Sequence, residues 1–150
     1  MWDRSSLRRS GEISIDSGEP VILLDTHVVV WLALEPERVS KDAQAAIDNA
    51  RQNEDGLAIC GITLLEIATS YGKGRISLAM SLESFLRDVE ERFVVLPISA
   101  RACARTLTLP ASYPKDPADR VIAATALVEG MALVTADTAI RRAKAVRTVW

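Results

Sequence analysis

A three-layer α/β/α sandwich, built on a central, mostly parallel sheet of four to five strands, is the fold class predicted by the 150-residue sequence. Three observations predict it. Short apolar runs such as Val21-Ile22-Leu23-Leu24 do not alternate with polar residues, which marks strands buried on both faces. The stretches between such runs carry apolar residues at helical spacing. Strands alternating with helices then imply a parallel sheet covered on both sides. With 49% hydrophobic residues and a mean hydropathy of +0.13, the chain can bury a substantial core in one domain.

The elements follow in order. Val21 to Asp25 reads as the first strand, and Thr26 to Leu34 as a helix. The run Val28-Val29-Val30 favours a strand by propensity, but a strand from Val21 to Leu34 would be unusually long. Ser40 caps an amphipathic helix with Ala43, Ala46, Ile47 and Ala50 at i, i+3, i+4 and i+7. Leu57 to Cys60 is a second strand and Thr63 to Ser70 a short helix, broken by Tyr71-Gly72-Lys73-Gly74-Arg75. Leu82, Phe85, Leu86 and Val89 mark the next helix, and Phe93 to Leu96 a third strand stopped by Pro97. Ser99 caps a helix to about Leu107. A proline-bearing loop then leads to a helix from Pro117 to Glu129, closed by Gly130. Ala132 to Thr135, Thr138 to Ala143 and Ala145 to Val149 read as strand, short helix and final strand. Residues 1–20, rich in Ser, Gly and charge, read as a disordered leader outside a single domain over 21–150.

A net charge of −2 excludes a simple polycation that coats nucleic acid. The charge is uneven: Arg141, Arg142, Lys144 and Arg147 cluster near the end, while Glu35 to Asp55 is acid-rich. Cys60 and Cys103, both in apolar contexts, have neither metal spacing nor a disulfide framework and read as buried free thiols of a cytoplasmic protein. No apolar run reaches transmembrane length, so no membrane partner is expected. Glycine-rich phosphate loops, Gly-x-Ser-x-Gly elbows and His-Glu-x-x-His motifs are absent, and the lone His27 reads as a structural or orienting residue beside Asp25.

Four carboxylates carry the chemistry. Asp25 ends the first strand, Glu66 follows the second, Asp119 lies in Asp116-Pro117-Ala118-Asp119-Arg120 at a helix start, and Asp137 follows the penultimate strand. Each has a capping explanation: Asp116-Pro117 is an N-cap with proline at the first helical position, and Thr63-x-x-Glu66 matches a capping box. Their joint placement suggests more, because ligands bind outside the carboxyl ends of strands in open α/β sheets. Clustered carboxylates need compensating cations, and oxygen donors favour Mg²⁺ or Mn²⁺. Such a site suits phosphodiester hydrolysis, in which a metal polarises a phosphoryl oxygen and acidifies water. Lys73, Arg75, Arg120, Arg141 and Arg142 are the candidates for a positive rim, with Thr26, Thr63 and Thr135 as orienting hydroxyls.

Leu23-Leu24-Asp25-Thr26-His27, Thr63-Leu64-Leu65-Glu66-Ile67, Lys73-Gly74-Arg75-Ile76, Asp116 to Ala126 and Leu133-Val134-Thr135-Ala136-Asp137 together resemble PIN-domain proteins, above all the VapC-type toxins of bacterial type II toxin–antitoxin modules. The resemblance covers about Val21 to Trp150. It implies a Mg²⁺- or Mn²⁺-dependent endoribonuclease with RNA as substrate, a cognate antitoxin and a homodimeric toxin. It also implies Asp25, Glu66, Asp119 and Asp137 as catalytic, metal-binding residues. Asp137 would assist or hold a second ion. A non-catalytic PIN-like binding module is the alternative, separable by assay. A phosphoryl-accepting signalling domain fits less well, because no Asp follows Phe93–Leu96 and no Lys ends Leu133–Thr135. A DNA flap-type nuclease would want insertions that this chain lacks.

Overall fold

The computed structural model describes residues 22–52 and 56–150, so the leader over 1–20 and Val21 lie outside the described residues. Among these residues five strands form one sheet: β1 (Ile22–Leu24), β2 (Leu57–Cys60), β3 (Val94–Leu96), β4 (Leu133–Val134) and β5 (Thr148–Val149). Their order is β3-β2-β1-β4-β5 and every pairing is parallel. The chain winds outward from β1 through β2 to β3, then returns to the other side of β1 for β4 and β5. The crevice between β1 and β4 is therefore a topological switch point, the place where open α/β sheets bind ligands.

Among the described residues seven α-helices cover the sheet: α1 (Thr26–Leu34), α2 (Lys41–Gln52), α3 (Ile62–Gly72), α4 (Leu82–Arg92), α5 (Ala100–Arg105), α6 (Pro117–Glu129) and α7 (Thr138–Ala143). Alternate strand residues enter opposite layers. Ile22, Leu24, Ile59 and Val134 pack with Val28, Val29, Ile47, Ile67, Phe85 and Val89. Leu23, Ala58, Cys60 and Leu133 pack with Tyr113, Val121, Ile122, Ala126 and Ile140 on the other face. Burial on both faces explains why β1 reads as a continuous apolar run.

Local signals set the helix ends. Ser81 and Ser99 accept the N–H groups of Ser84 and Ala102 and cap α4 and α5. Gly130, at φ +68°, closes α6 in the left-handed conformation that favours glycine. The predicted strands shorten at the edges: the final one pairs only at Thr148–Val149, while Ala145 and Val146 lead into it as irregular chain. The helix expected to reach Leu107 tightens into a 3₁₀ turn at Thr106–Thr108. Cys60 is buried as expected, but Cys103 sits on the outer face of α5 and is exposed, because Ala102 is the α5 residue that turns inward. No helix among the described residues is long and apolar enough to cross a membrane.

Candidate active site

Asp25 leaves the carboxyl end of β1 with only 4% of its surface exposed. One carboxylate oxygen accepts the Thr26 N–H at 2.9 Å and caps α1. The other accepts the Thr135 hydroxyl at 2.8 Å. That hydroxyl oxygen in turn accepts the Asp137 N–H at 3.1 Å, and the Asp137 side chain accepts the Ile140 N–H at 3.0 Å to cap α7. The relay ties the end of β1 to the turn after β4. His27 spans the same gap: its Nε2 accepts the Ala136 N–H at 2.9 Å, so the ring proton belongs on Nδ1, 3.6 Å from Asp25. Burial pushes the His27 pKa down, the charges of Asp25 and Asp137 oppose that shift, and Arg38 adds to it. His27 is a neutral orienting residue.

Glu66 arrives differently from the expected capping box. The α3 helix begins after Gly61 without a side-chain cap, and Thr63 is fully buried one turn before Glu66. The Thr63 and Thr26 hydroxyls lie 3.0 Å apart, and Thr26 Oγ1 donates to Glu66 Oε1 at 2.5 Å. The capping-box pattern is thus a tertiary link between α1 and α3. In α6 the expected cap is present: Asp116 accepts the N–H groups of Ala118 and Asp119 at 2.8 and 3.2 Å, placing Asp119 in the first turn.

Asp25, Glu66 and Asp119 line one cleft of about 340 Å³, together with Thr26, His27, Trp31, Arg38 and Arg75. Asp137 is not part of that lining, yet its charge acts on Asp119 there. Burial foremost, then the charges of Asp25, Asp116, Glu66 and Asp137, pushes the Asp119 pKa up to about 7. Burial also raises Glu66, and the Thr26 hydrogen bond pulls it back. Among the described residues no three His, Cys, Asp or Glu side chains already form a metal-holding group. The donor set suits a hard divalent cation nonetheless, since Mg²⁺ binds through one or two carboxylates and keeps several waters. Positive charge placed in this cleft would relieve the repulsion that raises Asp119.

The PIN domain family profile matches residues 22–146. The chain belongs to the PIN-domain family. It is 40% identical over 131 residues to Ribonuclease VapC22 of Mycobacterium tuberculosis, covering 86% of this chain and 98% of that protein. Its fold resembles DNA-bound VapBC from Salmonella typhimurium (TM-score 0.65, 20% identity, 87% of this chain and 97% of that one). VapBC2 from Rickettsia felis bound to a promoter DNA fragment is similar too (TM-score 0.64, 20% identity, 85% and 96% coverage).

The positive rim of this PIN domain differs from the expected one. Arg75 lines the acidic cleft, and with Lys73 it also lines a neighbouring cleft of about 390 Å³ beside Leu65 and Asp116. Arg120 faces elsewhere: its guanidinium donates to the carbonyls of Pro114 and Thr106 at 3.2 and 3.1 Å and fixes the loop before α6. Arg141 and Arg142 are exposed on α7 and line neither cleft. Arg38, not among the expected rim residues, is a further cation at the site. It lines the acidic cleft and lies over Trp31, with its guanidinium carbon 4.0 Å from the ring centroid. Its position inside an acid-rich segment hid it from a reading of charge along the chain.

Proposed function

We propose that this PIN-domain protein is a VapC-type endoribonuclease toxin that hydrolyses RNA phosphodiester bonds with Mg²⁺ or Mn²⁺ and is neutralised by a cognate antitoxin. The observation that carries this reading is the meeting of Asp25, Glu66 and Asp119, from distant parts of the chain, in one cleft at the carboxyl edge of the sheet. The relationship to Ribonuclease VapC22 supports the substrate class. Asp25, Glu66 and Asp119 would hold the cation, and Asp137 would assist or hold a second. The cation supplies charge stabilisation at the phosphoryl group and acidifies water. The rest falls to the chain: Thr135 and Thr26 fix Asp25 and Glu66, His27 pins the turn after β4, and Arg75 offers positive charge to the incoming backbone.

The antitoxin would dock on the α3 side, where Leu65 and Tyr71 are exposed beside the second cleft. The exposed Ile98 and Leu107 are the corresponding candidates for a homodimer face. Purified protein freed of any partner is expected to cleave total RNA with Mg²⁺ or Mn²⁺ and to stop in EDTA. Well-folded protein inert on every RNA fraction would instead favour the non-catalytic binding module.

A pH dependence follows from Asp119. Its pKa of about 7 in the folded state exceeds the ordinary 3.8, so the folded state holds the extra proton between those values. Its contribution to the stability of the metal-free protein is therefore fully present below pH 3.8 and is lost as pH rises through 7. Because the group is half exposed, the effect is discounted to the order of 1 kcal/mol. Melting curves in EDTA should show this decline in the wild type and a flatter profile in Asp119→Asn. Saturating Mg²⁺ should reverse the slope, since metal competes with the proton. Identical pH profiles for the two proteins in EDTA would contradict the assignment.

A further inference from the structure

The acidic cleft also has an aromatic and cationic part to its lining. Trp31 lines the cleft without joining either hydrophobic core. Its ring lies 4.9 Å from His27 and 5.8 Å from Trp150, centroid to centroid. The Arg38 guanidinium covers it at 4.0 Å and is steadied by Glu35 at 3.1 Å, yet the Arg38 side chain stays 52% exposed. The guanidinium thus sits over the Trp31 ring while about half of the Arg38 side chain stays open to solvent. A cation carried over an aromatic ring and half exposed at the cleft that would take the phosphodiester has a specific use. Nucleobases are uncharged, and unstacked bases settle on aromatic rings and on Arg planes.

We propose that Arg38, propped by Trp31, is a shelf for one unpaired nucleobase of the RNA beside the carboxylate cleft. This rests on the ribonuclease reading above and deepens it: the substrate must present a base free to leave its own stack, so loops and single strands are cut and continuous duplex is not. Stacking contacts tolerate sequence, because every base has a π face.

The test is fluorescence anisotropy of a labelled short single-stranded oligoribonucleotide with the full chain carrying Asp119→Asn, in Mg²⁺, to slow turnover. The same oligonucleotide with abasic sites and the matching duplex are run alongside. Arg38→Ala and Trp31→Ala are each expected to weaken binding of the intact single strand about tenfold. Trp31→Ala should leave the weaker binding of the abasic strand unchanged. Arg38→Ala should weaken it less than it weakens the intact strand, because with either strand one positive charge is lost. Trp31→Phe should retain most of the affinity. Arg38 is exposed, so its substitution tests the shelf even if Trp31→Ala fails to fold. Equal losses for intact and abasic strands, or none for either, would overturn the shelf. So would duplex binding as tight as the single strand. Wild-type protein that cuts RNA while both alanine variants bind normally would sink the shelf alone. Wild type that neither cuts nor binds any RNA would overturn the ribonuclease reading itself.

Discussion

Asp25→Asn is expected to slow RNA cleavage by roughly a thousand-fold while leaving the fold intact. The rate follows from losing a carboxylate that would hold the cation: electrostatic help at the phosphoryl group is worth several kcal/mol, and each 1.36 kcal/mol is a factor of ten. The fold survives because asparagine is nearly isosteric. Its oxygen can accept the Thr26 N–H that caps α1, and its amide can donate to Thr135 Oγ1 in place of the bond received now. Cleavage of labelled RNA and melting temperature, measured together, separate the two effects. A variant that melts like wild type and still cleaves within tenfold of it would remove Asp25 from the chemistry.

Thr135→Val should cost stability and activity together. Thr135 is completely buried, donates to Asp25 and accepts from the Asp137 N–H. Valine matches its shape and suits a strand end, so the change isolates the hydroxyl. Asp25 then keeps the Thr26 N–H but loses the 2.8 Å donor to its second oxygen, and the Asp137 N–H loses its hydroxyl acceptor. Buried polar groups left without partners cost about 1–3 kcal/mol each, which puts the total near 2–3 kcal/mol once the site relaxes. Cleavage should fall with it, by at least tenfold, because Asp25 is no longer held. Thr135→Ser, which retains the hydroxyl, should restore both. Denaturant melts and cleavage rates of the pair check this, and a valine variant as stable and active as the serine one would refute it.

Features that depend on a few neighbouring residues are legible in this sequence. Asp116-Pro117 signals the start of α6, and the cap it forms is local. The buried runs at β1 and β4 announce both the strands and the acids that follow them. Even α1 can be read against the strand propensity of its three valines, because a strand of that length would be unusual and Asp25 supplies a cap. What depends on which element lies opposite is not legible. The pattern Thr63-x-x-Glu66 cannot reveal that Gly61 begins the helix early and turns Thr63 toward Thr26. Arg120 and Arg38 look equally available in the sequence. The loop carbonyls of Thr106 and Pro114 occupy the first, while the ring of Trp31 holds the second at the cleft.

The order of strands in the sheet has a consequence for when activity can arise. Asp25 is held by a hydroxyl 110 positions away, just past β4, which lies on the opposite side of β1 from β2 and β3. Contacts so distant in sequence form late and slowly. A chain broken off before Thr135 would still carry Asp25, Glu66 and Asp119, yet lack the hydroxyl that fixes the first of them. Unfinished copies are therefore expected to be inactive, and in refolding the return of cleavage should trail the return of helical signal.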